Sequence, residues 1–252
     1  MFPLQKKKSG KKTKTIINIP QNEQVKNTSK AIPFIIFQDG KFIIQEQAKK
    51  IICQKSNENI GIISLVGKYR TGKSFLLNRV ILNLQNNSGF EVGPSINPCT
   101  KGIWLWSEPL IIQNNHSKTP FPCFLVDTEG LGAYDEEINH DSKIFLISIL
   151  ISSLFIFNSF GAIDEMTLNS LSFILNLSKY IKTKSINKED NENDFAEYFP
   201  SLLWLLRDFS LKLEDKNGNV ITEKQYLQNA LENAHGLLPQ LHSRLFPAQS
   251  LR

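Results

Sequence analysis

The sequence predicts an α/β domain in which a central, mostly parallel β-sheet is flanked by helices on both faces. A continuous apolar run over residues 59–66 is typical of a strand that is buried on both faces, as the strands of parallel sheets are. Helical and strand-like patterns then alternate along the chain, which is the order expected for strand–helix–strand units. The chain has 252 residues, and 41% of them are hydrophobic, which suffices for one sizeable core and one domain over residues 32–252.

The first 31 residues form a lysine-rich segment in which we expect disorder. The segment holds eight lysines and one acid, Glu23, and so accounts for more than the whole net charge of +5. Because the rest of the chain is slightly acidic, the charge predicts no nucleic-acid-binding face on the domain. We interpret the segment as a solvated tail, and its lysines leave nuclear targeting and attraction to acidic lipid open as alternatives.

Cysteine usage and hydropathy predict a cytoplasmic protein without a transmembrane segment. The three cysteines are odd in number and include no C-x-x-C pair, which argues against a disulfide framework and a zinc site and favours a reducing compartment. The longest apolar stretch, residues 144–157, is interrupted by serines and is shorter than the roughly 20 residues that a membrane span needs. We expect it to be a buried helix that runs into a buried strand.

Each predicted element follows from apolar periodicity and from turn residues. An Asp39-Gly40 pair between two apolar runs predicts a β-hairpin near the start of the domain. The predicted strands cover residues 32–37, 41–44, 59–66, 102–112, 121–127, 152–157 and 201–209, and the predicted helices cover residues 45–53, 73–84, 141–150, 164–181 and 222–234.

The clearest motif is G-K-Y-R-T-G-K-S at residues 67–74, which matches the phosphate-binding pattern G-x-x-x-x-G-K-[ST]. A buried strand precedes it and a helix follows it, so the predicted fold is that of a P-loop NTPase. Lys73 is expected to reach the β- and γ-phosphates of a nucleotide, and the Ser74 hydroxyl is expected to bind Mg²⁺. The other residues of the predicted nucleotide-binding set here are Gly67, Tyr69, Arg70, Thr71, Gly72 and Phe75.

Residues farther along the chain complete the predicted phosphate and metal site. Asp127 ends an apolar run, where a magnesium-linked carboxylate belongs, and Gly130 is placed to bring a backbone N–H to the γ-phosphate. Thr100 is the candidate switch hydroxyl for the magnesium shell, because it sits in a loop just before a predicted strand. Thr71, inside the phosphate loop, is the alternative hydroxyl, and from the residues alone Thr100 is equally an ordinary loop threonine. Arg70 is a candidate catalytic arginine, since an arginine supplied in cis stabilises charge in the transition state.

Two carboxylates compete to recognise the base. Asn187 to Asp190 matches the N-K-x-D motif of many small GTPases, but the match lies in a polar, low-complexity segment with no buried strand before it. Arg207-Asp208 directly follows an apolar strand, and ligands bind at the carboxyl ends of the strands in open α/β sheets. We therefore favour Asp208 as the residue that recognises guanine.

Together these motifs resemble the guanylate-binding proteins, a family of large, dynamin-related GTPases. The resemblance extends over roughly residues 32–246, and the matching segments are G-K-Y-R-T-G-K-S at 67–74, C-T-K-G-I-W-L-W at 99–106, D-T-E-G-L-G at 127–132 and L-R-D-F at 206–209.

The resemblance implies Mg²⁺-dependent hydrolysis of GTP with Arg70 as the internal arginine, Thr100 as the switch threonine and Arg207-Asp208 as the base-reading pair. It also implies a nucleotide-dependent homodimer in which two GTPase domains dock face to face and bring the arginine into place. Some members continue from GDP to GMP, and the sequence does not decide this for the present chain.

Two departures from the family pattern keep other functions open. Pro98 stands where some members have a serine that organises the attacking water, and the chain ends at Arg252, before a further strand and helix that the family's GTPase domain is expected to have. We therefore expect a C-terminally incomplete domain. A GTP-binding switch module with little turnover is the first alternative, and an atlastin-like membrane-remodelling GTPase is the second.

Overall fold

The computed structural model of the chain describes residues 16–18, 29–55, 58–85, 89–93, 101–113, 119–131, 138–165, 167–168 and 200–233. The strands are β1 (Ile16–Asn18), β2 (Ala31–Gln38), β3 (Lys41–Ile44), β4 (Gly61–Gly67), β5 (Ile103–Trp106), β6 (Leu110–Gln113), β7 (Phe121–Thr128), β8 (Leu154–Phe160) and β9 (Ser201–Arg207). The helices are α1 (Glu46–Cys53), α2 (Lys73–Leu76, continued by a π-helical turn over Leu77–Ile81), α3 (Ile138–Ile151) and α4 (Glu223–Asn233).

The strands described form one sheet whose main path runs β3-β2-β5-β7-β4-β8-β9, with β6 pairing β7 and β1 pairing β6. The centre is parallel, because β4 pairs in parallel with β7 and β8, and β8 pairs in parallel with β9. The outer pairings, including the β2–β3 hairpin and the pairs β5–β7 and β6–β7, are antiparallel. Most of these strands nevertheless run in one direction, and the predicted α/β class with a mostly parallel sheet is confirmed.

Helices cover both faces of the sheet, as the sequence predicts. Successive side chains of a strand point to opposite faces, and on β4 this sends Leu65 and Val66 into different hydrophobic clusters. Leu65 packs with Leu77 of the helical segment that follows the phosphate loop. Val66 packs with residues of α3 and α4, such as Phe145 and Leu231. The sheet is therefore the middle layer, and the carboxyl ends of its parallel strands point toward one edge.

Several predicted elements are confirmed with small shifts of their ends. The hairpin around Asp39-Gly40 forms β2 and β3, and both turn residues have positive φ angles (51° and 76°). The helix predicted over residues 45–53 is α1, Glu46–Cys53, with Ala48 fully buried. The apolar stretch over residues 144–157 is a helix followed by a strand, as expected. Among the described residues, no helix is long and apolar enough to cross a membrane.

Two predictions of element length are wrong. Residues 102–112 form two strands rather than one, because Ser107, Glu108 and Pro109 separate β5 from β6 while both strands pair with β7. The proline supplies a reason, since its fixed φ and missing N–H interrupt a ladder. The helix predicted over residues 73–84 is also shorter, since regular α-helix ends at Leu76 and a single π-turn carries the chain to Ile81.

Within residues 1–31, for which we expect disorder, the structure describes one short strand, β1. Ile16–Asn18 pairs antiparallel with β6, and two β-branched isoleucines suit such a strand. Residues 1–15 and 19–28 lie outside the described residues, as does most of the helix predicted over residues 164–181. Of the cysteines that the structure describes, Cys53 and Cys123 are both free, and burial raises the pKa of Cys123 to about 11.

Candidate functional site

The phosphate-binding motif follows the carboxyl end of β4 at the parallel centre of the sheet. Gly67 lies opposite Asn158 of β8, and a Cβ on Gly67 would come within 2.1 Å of the Asn158 carbonyl oxygen. Only glycine therefore fits where the loop leaves the strand. Within the loop, Arg70 and Gly72 have positive φ angles of 60° and 72°. Such local reversals of backbone handedness turn successive N–H groups into one concave surface that suits an anion.

Lys73 lies beneath this loop and is buried. Its ammonium group donates to the Lys68 carbonyl oxygen at 3.3 Å, and the same oxygen accepts from the Thr71 hydroxyl at 2.7 Å. Burial lowers the pKa of Lys73 from its ordinary value, and the nearby carboxylates of Asp127, Glu129 and Asp141 act in the opposite direction. A buried cation is costly unless an anion compensates it, so this position favours a phosphate as an additional partner.

Ser74 and Asp127 bring two oxygen atoms together beside Lys73. The Ser74 hydroxyl donates to the Asp127 carboxylate at 2.6 Å, and Asp127 is fully buried. The β4–β7 pairing causes this, because it sets Leu65 opposite Asp127 and so brings the end of β7 beside the phosphate loop. A hydroxyl and a carboxylate are the hard oxygen donors that Mg²⁺ prefers, and the two residues therefore fit the predicted metal site.

The segment after Asp127 runs directly against the phosphate loop. The Tyr69 N–H donates to the Leu131 carbonyl oxygen at 2.8 Å, and the Leu131 N–H donates to the Gly67 carbonyl oxygen at 3.2 Å. A Cβ on Gly130 would come within 2.4 Å of the Tyr69 Cα atom. Gly130 therefore allows two backbone segments to meet, which puts its own N–H group in the neighbourhood of the loop.

Glu129 is a central polar residue that the sequence analysis did not single out. Its N–H donates to the Gly102 carbonyl oxygen at 2.9 Å, the Gly102 N–H donates to its carboxylate, and the imidazole of His140 contacts that carboxylate as well. The His140 ring packs against both Phe37 and Phe42 of the β2–β3 hairpin, at centroid distances of 4.8 and 5.5 Å, and the two phenylalanine rings are in contact with each other. A second carboxylate two residues after the strand-terminal Asp127 was the signal that could have identified it.

The opposite side of the phosphate loop contacts the ends of β8 and β9. The Thr71 carbonyl oxygen accepts from Asn158 Nδ2 and from Arg207 Nη1, both at 2.9 Å. The Arg207 guanidinium also lies over the Phe160 ring, 5.5 Å from its centroid. Asp208 follows at the strand end with a positive φ angle of 54° and is exposed. Asn158 was not predicted as a site residue, because an asparagine at the end of an apolar strand has no distinctive motif.

The remaining predicted site residues are either exposed or not described. Arg70 is exposed, and its guanidinium lies 5.4 Å from the centroid of the Tyr69 ring. Phe75 is also exposed, on the first turn of α2. Thr100, its neighbours Pro98 and Cys99, and the alternative base residue Asp190 lie outside the described residues.

Comparison with known proteins decides the family to which this site belongs. The family model for the guanylate-binding protein N-terminal domain matches residues 39–249. The chain belongs to the guanylate-binding protein family. Guanylate-binding protein 6 of Homo sapiens is 36% identical over 216 residues, which cover 84% of this chain and 32% of that protein. Guanylate-binding protein 3 of Mus musculus is 38% identical over 189 residues, which cover 73% of this chain and 29% of that protein.

The chain spans about a third of the length of the curated guanylate-binding proteins that it matches, as with guanylate-binding protein 4 of Homo sapiens, where 35% identity extends over 33% of that protein. The matched part contains the phosphate loop, Asp127 and Arg207-Asp208. The predicted resemblance to this family is thus confirmed.

Substituting Gly130 tests the close approach of the two segments. Gly130→Ala places a methyl group against the Tyr69 backbone, so we expect a loss of about 1–3 kcal/mol in the free energy of unfolding together with weaker nucleotide binding. Urea unfolding and titration with a fluorescent nucleotide measure the two effects.

The control is Gly218→Ala, in a turn where the added methyl group meets nothing within 4 Å but φ is 79°. This control bears only backbone strain of about 1 kcal/mol and should leave nucleotide binding unchanged. Equal nucleotide affinity in both variants would contradict the proposed contact between Gly130 and the loop.

Proposed function

We propose that this chain binds GTP with Mg²⁺ and hydrolyses it to GDP. The observation that carries this proposal is the buried ammonium of Lys73 beneath a loop whose backbone turns left-handed at Arg70 and Gly72. A triphosphate supplies negative charge where the loop concentrates N–H donors and where Lys73 is otherwise paired with protein groups alone. The family relationship supports a guanine nucleotide as the ligand, since the matched relatives are named guanylate-binding proteins.

The Ser74 hydroxyl would bind the magnesium ion directly, and the Asp127 carboxylate would help to hold it. Thr100 is proposed to complete the coordination shell. The hydrogen bond of 2.6 Å between Ser74 and Asp127 means that the serine oxygen faces the carboxylate. When bound, the metal neutralises charge on the β- and γ-phosphate oxygens. The protein's own contribution is to keep these oxygen donors adjacent at the end of β7.

We assign Arg70 as the catalytic arginine, acting with Lys73. Arg70 lies inside the phosphate-binding motif, and its exposure leaves the guanidinium accessible to a second molecule. An arginine in cis stabilises transition-state charge and is worth about a thousandfold or more in rate. The N–H of Gly130 is proposed to contact the γ-phosphate from the other side of the loop.

We assign guanine recognition to Asp208 rather than to Asp190. Asp208 is exposed immediately after β9, at the same edge of the sheet as the phosphate loop. The neighbouring Arg207 points toward the loop, where it donates to Thr71, and this leaves Asp208 as the acceptor for the base. A carboxylate can accept from both the ring N–H and the exocyclic amine of guanine.

We further propose that two copies of the domain associate face to face when nucleotide is bound, in the cytoplasm. The exposed Arg70 supports this, because an arginine that needs a second copy for its final position must be accessible beforehand. A binding module with little turnover is the main alternative, and it is favoured by Pro98, which replaces a serine found in some family members. No observation on the described residues favours the atlastin-like alternative.

Removing the Lys73 ammonium tests nucleotide binding. Lys73→Ala deletes charge-assisted hydrogen bonds to phosphate, and we expect the affinity for GTP to fall by about tenfold to a hundredfold or more. Equilibrium titration with labelled GTP is the measurement, and Lys212→Ala, an exposed lysine beyond β9, is the control that should bind as the unsubstituted chain does. Unchanged binding by Lys73→Ala would refute the proposed phosphate site.

Exchanging the two carboxylates for amides tests base recognition. We expect Asp208→Asn to weaken GTP binding and to improve binding of xanthosine triphosphate, because an amide donates to the xanthine carbonyl that replaces the guanine amine. Asp190→Asn should leave both affinities unchanged. A specificity change in Asp190→Asn alone would transfer the role to Asp190.

Replacing Arg70 separates an enzyme from a binding module. In single-turnover hydrolysis we expect Arg70→Ala to be about a thousandfold slower, while its affinity for GDP stays close to that of the unsubstituted chain. The rate of the unsubstituted chain should rise with protein concentration if a second copy helps to position the arginine. Equal and near-zero rates for both proteins would favour the switch module.

A further inference from the structure

We propose that Asn158 is a positioning residue that, together with Arg207, holds the Thr71–Gly72 peptide in the orientation that phosphate binding requires. The inference rests on the proposed phosphate site but goes beyond it, because it gives a task to a residue outside the motif. It also assigns Arg207 to the phosphate loop rather than to the base.

Two donors converge on one carbonyl oxygen. Asn158 Nδ2 and Arg207 Nη1 each lie 2.9 Å from the Thr71 carbonyl oxygen. They come from neighbouring strands, since Asn158 lies near the end of β8 and Arg207 ends β9. A carbonyl oxygen has two lone pairs, so these two donors use its full capacity.

Because the peptide bond is planar, the orientation of the Thr71 carbonyl fixes the orientation of the Gly72 N–H. In a trans peptide the C=O of one residue and the N–H of the next point in opposite directions. When the Thr71 carbonyl is fixed toward β8 and β9, the Gly72 N–H must point the other way, into the concave side of the loop. The positive φ of Gly72, 72°, is part of the same local geometry. Asn158 and Arg207 thus orient a donor that neither of them touches.

Both donors are themselves held in place. Asn158 is fully buried, and its backbone carbonyl lies so close to Gly67 that a Cβ there would meet it. Its amide must present nitrogen to Thr71, because the flipped orientation would set two oxygens against each other. The Arg207 guanidinium is stacked over the Phe160 ring, and its Nη1 atom lies 2.6 Å from the position that a Cβ on Gly72 would take. Burial of Asn158 and stacking of Arg207 therefore hold both donors beside the Thr71 carbonyl.

A double-mutant cycle tests the shared action of the two donors. The four proteins are the unsubstituted chain, Asn158→Ala, Arg207→Ala and the double variant, and the probes are GDP and inorganic tripolyphosphate, each with Mg²⁺. Tripolyphosphate has no base, so any contact between Arg207 and guanine does not enter the comparison. Asn59→Ala, an exposed asparagine just before β4, is the control.

We expect each single variant to bind tripolyphosphate between about twofold and tenfold more weakly, because the remaining donor still holds the carbonyl. The affinity of the double variant for tripolyphosphate should fall by more than the product of the two single fold-losses. The Thr71–Gly72 peptide is then free to rotate, and the orientation that binds phosphate becomes a minor state. Asn59→Ala should match the unsubstituted chain. Losses that simply multiply would overturn the inference.

Two further measurements keep the test decisive. Thermal unfolding without ligand identifies a variant that fails to fold, and Asn158→Asp, which keeps the shape of the side chain but has no N–H donor, should weaken tripolyphosphate binding at least as much as Asn158→Ala. Unchanged tripolyphosphate binding by a folded Asn158→Asp protein counts against the inference.

The outcomes also separate this inference from the proposed function. The proposed function fails and the inference stands if the variants show the non-additive loss of tripolyphosphate binding but the unsubstituted chain has no preference for guanine nucleotides. If it binds GTP as proposed but the losses multiply, the inference alone fails. Binding of neither probe refutes both.

Discussion

The site depends on one electrostatic constraint, which is that an ammonium group is buried beneath a loop of backbone. Lys73 lies among Asp127, Glu129 and Asp141, and its own loop supplies the Lys68 carbonyl as a hydrogen-bond acceptor. Desolvation lowers the pKa of this lysine, so the site holds its positive charge at a cost. Each neighbouring carboxylate offsets part of that cost, and a phosphate would offset more. The burial that makes the charge of Lys73 costly is thus also what suits the residue to an anionic partner.

The fold class and the phosphate loop were predictable from the sequence because both arise from local patterns. The apolar run before Gly67 and the spacing of Gly72, Lys73 and Ser74 specify a strand, a turn and a helix start without reference to distant residues. Asp127 was identified for the same reason, since it ends an apolar strand. The family followed from the same motifs taken in order.

The parts that were not predicted depend on contacts between segments far apart in the chain. Asn158 and Thr71 are 87 residues apart, and only the β4–β8 pairing brings them together. Glu129 and Gly102 likewise meet because β5 pairs with β7. The division of residues 102–112 into two strands and the π-turn after α2 are tertiary adjustments of locally reasonable patterns. No window of sequence contains the information for such contacts.

The contacts of Phe37 and Phe42 with His140 have a consequence for the surroundings of the phosphate loop. These aromatic residues belong to a hairpin at the edge of the sheet, yet through His140 and Glu129 they are in contact with the polypeptide that borders the phosphate loop. The hairpin is therefore linked to the segment beside the phosphate loop by a chain of side-chain contacts, although Phe37 and Phe42 belong to a different element. Side chains that resemble ordinary packing at the rim of the sheet thus belong to the surroundings of the phosphate loop.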